Sequence, residues 1–136
     1  NYTDKNFVEE VEKIVGKNSI DVVYDGVGIK TFDGSIETLK VRGMMVAFGN
    51  ASGYVDTIDV KKHINAKGLF FTRPSIAHYT MTRKELVESA KKVFDAILSG
   101  KFKVEISKRY PLSDAKRAHE ELEARLLTGP AVIIPN

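Results

Sequence analysis

Apolar and polar positions along the chain follow two alternating patterns. Continuous β-branched and apolar runs at residues 20–25, 44–48, 69–72 and 131–134 are typical of buried strands. Between them, apolar residues at helical spacing predict helices over residues 4–15, 31–41, 83–98 and 113–126. This alternation predicts an α/β fold: a partial Rossmann-type parallel sheet with flanking helices.

Two helices carry clear end signals. The first has Thr3 or Asp4 as a possible N-cap and Gly16 as its end. The helix over residues 83–98 begins with a capping box, Thr82-x-x-Glu85, and carries a broad apolar face. We therefore expect this helix to be the best defined of the set.

The pattern changes after Gly100. Three apolar residues alternate there with charged ones: Phe102, Val104 and Ile106. This period of two predicts a half-exposed strand rather than the interior of a parallel sheet. Ser113 then caps a helix that Gly129-Pro130 stops, and a last strand follows. We expect this β-α-β segment to belong to a different layer.

Composition and charge exclude several classes. The 136 residues fit one domain of ordinary size, and the net charge of +3 comes from 21 basic and 18 acidic residues that are interleaved. The basic residues do not cluster on one face, and the sequence has no nucleic-acid-binding motif. We therefore expect no nucleic-acid partner. No apolar run reaches the ~20 residues that cross a bilayer, which predicts no membrane association. The absence of cysteine fits a cytoplasmic protein.

The loop after the run at residues 44–48 is the first candidate site. Ligands of open parallel sheets bind outside the carboxyl ends of the strands. Phe48 offers an apolar wall, Gly49 permits close backbone approach and Asn50 offers a polar group. Gly26, in a tight turn after the first strand, is expected at the same edge. On composition alone, both segments could equally be ordinary strand-terminating turns.

The sequence offers no catalytic constellation of its own. His63, His78 and His119 lack a cysteine or paired carboxylate at metal-ligand spacing, so we expect no metal site. No nucleophile and base can be paired either. Hydride transfer needs neither, because the cofactor carries the chemistry.

Eight short motifs in register extend over nearly the whole chain. They are Val22-Val23-Tyr24-Asp25, Gly28, Leu39-x-x-x-Gly43, Phe48-Gly49-Asn50-Ala51-Ser52-Gly53, Phe71-Thr72-Arg73-Pro74-Ser75, the Thr82 capping-box helix, Tyr110-Pro-Leu-x-Asp-Ala with Ala118-His119, and Arg125-x-x-x-Gly129. Together they resemble the C-terminal portion of the zinc-free, zeta-crystallin-like NADPH:quinone oxidoreductases of the medium-chain dehydrogenase/reductase family. The resemblance implies NADPH as cofactor and hydride transfer to a quinone.

The resemblance also implies roles for individual residues. Tyr2 matches a tyrosine that lies against the adenosine phosphate, and backbone groups of Phe71 and Thr72 match those facing the nicotinamide carboxamide. Arg73 matches an arginine near the quinone pocket, and Arg125 one that contacts the cofactor from the catalytic domain. Judged without the resemblance, Phe71 is a core residue and both arginines are solvated charges.

The resemblance further implies a division of the chain. Residues 1–100 would form the C-terminal part of a nucleotide-binding domain, and residues 101–136 would return to the catalytic domain. The glycine-rich turn that receives the pyrophosphate would lie upstream of Asn1, so we expect a fragment that is inactive by itself. The family commonly has serine where this chain has Gly26, so any side-chain bond from that position is lost.

Two further expectations concern partners. The family joins sheets edge to edge, which predicts a homodimer through the strand at residues 69–72. The quinone would bind only in the full-length enzyme. The alternative is a non-catalytic relic that dimerises or binds nucleotide weakly.

Overall fold

The structure is a computed structural model that describes residues 1–135. The chain divides into two compact units, Asn1–Met81 and a second that starts at Thr82. Each unit contains its own parallel sheet. The predicted division into a nucleotide-binding part, residues 1–100, and a catalytic-domain segment, residues 101–136, concerns roles in a longer protein and stays a prediction.

A three-stranded parallel sheet forms the first unit. Its strands are β1 (Ile20–Asp25), β2 (Leu39–Ala47) and β3 (Phe70–Thr72), in the order β1-β2-β3. In this register Val23, Met45 and Phe71 are neighbours across the sheet. The strands predicted from the apolar runs are confirmed, and all three end at the same edge.

Helices α1 (Phe7–Val15) and α2 (Phe32–Thr38) flank the sheet. Asn6 caps α1, because its side chain accepts a hydrogen bond from Val8 N at 3.1 Å. Thr3 and Asp4 were therefore wrong as N-caps, whereas Gly16 ends the helix at φ +89° as predicted. The core beneath α2 is apolar and contains Phe32, Ile36, Leu39, Met45, Ala47 and Leu69.

Helix α2 is shorter than the pattern predicted. It ends at Thr38, and β2 begins at the next residue, because Leu39 turns to extended backbone and is fully buried. The Lys67 ammonium donates to the carbonyls of Glu37 and Leu39 at 2.7 Å each. It thereby holds the point at which α2 ends and β2 begins.

The connection from β2 to β3 contains one π-helical turn, Val60–Asn65, capped by the Asp59 side chain. A short helix, α3 (Ile76–Tyr79), follows β3. The weak apolar pattern of Ile58, Val60 and Ile64 places an optional helix between the second and third strands, where the structure has the π-helical turn; α3 was not predicted.

The second unit contains α4 (Arg83–Leu98), β4 (Lys108–Pro111), a 3-10 turn at Leu112–Asp114, α5 (Ala115–Glu123) and β5 (Ala131–Ile134). The capping box of α4 is confirmed: Thr82 N donates to the Glu85 carboxylate, and Glu85 N donates to Thr82 Oγ1. Strands β4 and β5 pair in parallel.

Three boundaries in this unit differ from the prediction. Residues 102–106 form no strand; pairing begins at Lys108, where Tyr110 can be buried against α5. Asp114, not Ser113, occupies the N-cap position of α5. The helix ends at Glu123 because Arg125 adopts a positive φ of +58°.

Candidate functional site

The carboxyl ends of the three strands in the first unit lie side by side, and two loops leave from them. The turn at residues 26–28 follows β1, and the loop at residues 48–53 follows β2. This edge is where parallel α/β sheets bind ligands. It holds six of the predicted cofactor residues, Gly26, Phe48, Gly49, Asn50, Thr72 and Arg73.

Backbone hydrogen bonds join the turn to the loop. Phe48 N and Gly49 N both donate to Asp25 O, at 2.9 and 3.3 Å. Ala51 N donates to Gly26 O at 3.3 Å, and Ser52 N donates to Val27 O at 2.7 Å. The two segments therefore form one backbone unit rather than two separate turns.

Glycine is required where the segments touch. A Cβ at Gly49 would lie 2.4 Å from Gly26 O, and one at Gly28 would lie 2.4 Å from Gly53 O. Gly28 also has a φ of +93°. The close approach of the turn at residues 26–28 therefore requires glycine at position 49. The sequence predicted only the other reason, the approach of a ligand to the backbone.

Phe48 lies over the turn. A Cβ on Gly26 would come within 2.9 Å of Phe48 Cζ. A serine at position 26, as in the resembling family, would therefore require the Phe48 ring to shift. The glycine and the ring position are coupled in this chain.

Arg73 connects the end of β3 to the β2 loop. Its Nη1 donates to Ala47 O at 3.0 Å and its Nη2 donates to Asn50 Oδ1 at 3.2 Å. A guanidinium has five N–H groups, so it can hold the Asn50 side chain and still offer donors to a ligand. The structure thus brings Arg73 and Asn50 together, a pairing the sequence did not predict.

Two cavities flank these loops. One, of about 700 Å³, is lined by Phe48, Arg73, Pro74, Ser75, Ile76, His78 and Tyr79. The other, of about 370 Å³, is lined by Asn1, Tyr2, Phe7, Tyr24, Asp25, Gly26, Val27, Thr31 and Ser35. Both volumes lie in the range of small-molecule sites. Tyr2 and Gly26, both predicted to contact a cofactor, share the second cavity.

The Asp25 carboxylate at the end of β1 is buried, with 5% of the residue exposed. Burial by itself would raise its pKa, but hydrogen bonds from Gly28 N, Thr31, Ser35 and Val27 N outweigh that effect and hold the pKa below its usual range. These contacts of Asp25 were not predicted from the sequence. The signal for its role was the following Gly-Val-Gly with hydroxyls six and ten residues on.

The remaining predicted residues have different settings. The Phe71 ring packs edge-on against Phe32, with centroids 6.2 Å apart, so its side chain belongs to the core. Thr72 is exposed at the end of β3, opposite Val46. Arg125 is exposed in the second unit, after α5.

Other site types have little support in the part of the chain that the structure describes. Within residues 1–135, no three His, Cys, Asp or Glu side chains come together where they could hold a metal ion. None of the helices in that range is long and apolar enough to cross a membrane.

The first unit is thus an open parallel α/β sheet with a pair of joined loops at its strand ends. The chain belongs to the zinc-binding dehydrogenase family, whose model matches residues 1–133. The zinc of that family name has no matching group of donors among residues 1–135.

Individual relatives agree with this assignment. Quinone oxidoreductase of Salmonella typhimurium is 45% identical over 99% of this chain and 42% of its own length. The structure of Escherichia coli quinone oxidoreductase complexed with NADPH is 43% identical, with a TM-score of 0.91 over 99% of this chain and 42% of its own. A 2-haloacrylate reductase of Burkholderia sp is 39% identical over 99% of this chain and 41% of its own. The chain thus spans about two-fifths of the length of these relatives and matches their C-terminal part.

Proposed function

We propose that this chain is the C-terminal part of an NADPH-dependent quinone oxidoreductase and forms the nicotinamide side of its cofactor site. The observation that carries the proposal is the joined pair of loops at the strand ends, with a cavity on each side. The similarity to a quinone oxidoreductase structure complexed with NADPH supports the choice of ligand.

The residues present fit such a cofactor. The larger cavity combines aromatic and apolar walls from Phe48, Ile76 and Tyr79 with the Arg73 guanidinium. A flat ring with polar substituents needs this combination of apolar faces and a few fixed donors. The smaller cavity, with Tyr2 and Gly26, would hold the more distant part of the nucleotide.

NADPH, when bound, supplies the hydride that reduces the quinone. The chain's own contribution is to bind and orient. Gly26 and Gly49 would expose backbone groups to the ligand, Phe48 would wall one face of the ring, and Arg73 would hold Asn50 in position. The backbone groups of Phe71 and Thr72 at the end of β3 would bind the carboxamide; the cofactor contact predicted for Arg125 stays a prediction.

A non-catalytic relic is the second candidate function. It is the alternative stated in the sequence analysis and stays a prediction. The upstream reading frame separates the two. An adjacent glycine-rich nucleotide turn and an N-terminal barrel would support the oxidoreductase, and a stop codon would support the relic.

Titration of the purified chain with NADPH tests the site directly. We expect amide resonances of residues 26–28, 48–53 and 71–73 to shift, while those of α4, which lines neither cavity, stay unchanged. If the chain binds NADPH and none of these segments responds, the assigned site is wrong. NADH in a parallel titration measures the preference for the 2′-phosphate.

A further inference from the structure

Asp25 is the acidic residue among the buried polar side chains of the described chain; the others are Thr31, Ser35 and Thr38. A buried carboxylate is destabilising unless its oxygens are hydrogen-bonded. We therefore expect the neighbours of Asp25 to donate hydrogen bonds to both of its carboxylate oxygens, as the structure shows.

Four donors converge on this carboxylate. Val27 N and Gly28 N donate to Oδ1 at 2.8 and 3.0 Å. The hydroxyls of Thr31 and Ser35 each donate to Oδ2 at 2.8 Å. An ionised carboxyl accepts hydrogen bonds at both oxygens, whereas a protonated one carries a hydrogen on one of them. With its acceptor sites occupied in this way, Asp25 is poorly placed to act as a base.

The same residue also holds the second loop. Its backbone carbonyl accepts from Phe48 N and Gly49 N, while its side chain fixes the turn whose carbonyls accept from Ala51 N and Ser52 N. Ser52 adds a further link, because its Oγ donates to Val27 O at 2.8 Å and accepts from Lys30 N at 3.1 Å. Releasing the turn would therefore release the loop at residues 48–53.

We propose that Asp25 is a positioning residue for the cofactor site, which sets the place of Phe48, Gly49 and Asn50 through the turn at residues 26–28 without taking part in the chemistry. This proposal rests on the proposed function for its ligand. Its structural part, that the carboxylate controls the loop, is measured without any ligand.

The first test is hydrogen exchange of the Ala51 and Ser52 amides in the Asp25→Asn chain. The amide replaces an acceptor oxygen with a donor while keeping the shape of the side chain. The matched control is Met45→Ala, which removes a buried side chain from the core cluster of the same unit and leaves the turn intact. We expect exchange at these two amides to be about tenfold faster in Asp25→Asn than in Met45→Ala, after adjusting denaturant to equalise global stability.

The second test is the dissociation constant for NADPH in the same pair of variants. We expect Asp25→Asn to bind about tenfold more weakly than Met45→Ala at equal stability. A purely stabilising role would affect both variants equally. If Asp25→Asn does not fold, Thr31→Val removes one donor to the carboxylate, and Thr31→Ser should restore the wild-type values.

Each outcome decides one claim. Unchanged Ala51 and Ser52 protection, in Asp25→Asn or in Thr31→Val, overturns the positioning role. Faster exchange with equal NADPH affinity shows that the carboxylate controls the loop but not the site, which also overturns it. Failure to bind NADPH even when the chain is joined to an upstream segment with the glycine-rich turn refutes the proposed function instead, and the exchange data then still decide whether Asp25 holds the loop.

Discussion

Two pairs of glycines set the distance between the two loops of the candidate site. Gly49 packs against Gly26, and Gly28 packs against Gly53. Any side chain at Gly49 would meet backbone atoms rather than a flexible neighbour. The position is therefore sensitive even to alanine.

We predict that Gly49→Ala destabilises the chain by roughly 1–3 kcal/mol, because the loop must move to accommodate the new Cβ. NADPH-induced shifts at residues 48–53 should disappear as well. Denaturant unfolding and the NADPH titration measure the two effects. Gly129→Ala is the control, because a Cβ there makes only ordinary contact, at 3.4 Å from Ser107 Cβ. Equal stability of the two variants would contradict the prediction.

Glu121 gives the second unit a specific response to acid. The ion pair with Lys108 and the hydrogen bond from Tyr110 OH, 2.6 Å long, lower the pKa of Glu121 to about 2. A lowered pKa means that the ionised form stabilises the fold. This contribution is complete above the unfolded-state pKa of about 4.3 and is lost as pH falls through the folded pKa of about 2.

We therefore predict that the Glu121 carboxyl titrates near pH 2 when followed by NMR. The free energy of unfolding should fall between about pH 4.3 and pH 2, and part of that fall should be missing in Glu121→Gln. Glu88→Gln is the control, since Glu88 makes only a 3.9 Å exposed pair with Lys84. A Glu121 titration near the ordinary value for glutamate would refute the network.

At the scale of elements, the sequence predicted those helix ends and strands that depend on residues close together in the chain. The Thr82 capping box and the continuous apolar runs of β1, β3 and β5 needed no knowledge of the partners. The end of α2 depends on Lys67, which is distant in sequence, and the strand after Gly100 depends on where pairing with β5 begins. For the same reason the loop positions were predictable, whereas the backbone bonds from residues 48–52 to Asp25 and its turn, which depend on the register of β1 with β2, were not.

Strand β3 ends the sheet, and Phe70 on it is 58% exposed. A short, uncharged apolar edge favours pairing with another strand. We therefore propose that two chains join along β3 and predict a concentration-dependent dimer by light scattering. Phe70→Lys should shift the dimer to monomer. Tyr54 is a similarly exposed aromatic residue on a loop, and Tyr54→Lys should leave the dimer unchanged. A wild-type chain that stays monomeric at high concentration would exclude this edge.

At the scale of the whole molecule, the length of the chain limits what it can do alone. It spans 42% of the Salmonella typhimurium quinone oxidoreductase, and its sequence has no glycine-rich turn for a pyrophosphate. In dinucleotide-binding folds a helix N-terminus and such a turn receive the phosphates. Each missing charge-assisted hydrogen bond removes about 1.5–3 kcal/mol of binding energy. The affinity of the isolated chain for NADPH should therefore be lower by orders of magnitude than that of a complete enzyme.

We predict that the isolated chain oxidises NADPH with a soluble benzoquinone no faster than the uncatalysed reaction. Weak binding lowers the occupancy of the site, and the bound acceptor would also lack the surroundings that exclude water and hold it at transfer distance, so the two losses multiply. Joining the chain to an upstream segment that carries the glycine-rich turn and barrel should restore turnover, and Arg73→Ala in that longer protein should lower it. Saturable turnover of about one per second by the isolated chain, abolished by Arg73→Ala or Asn50→Ala, would instead show that the strand-end loops make a complete site.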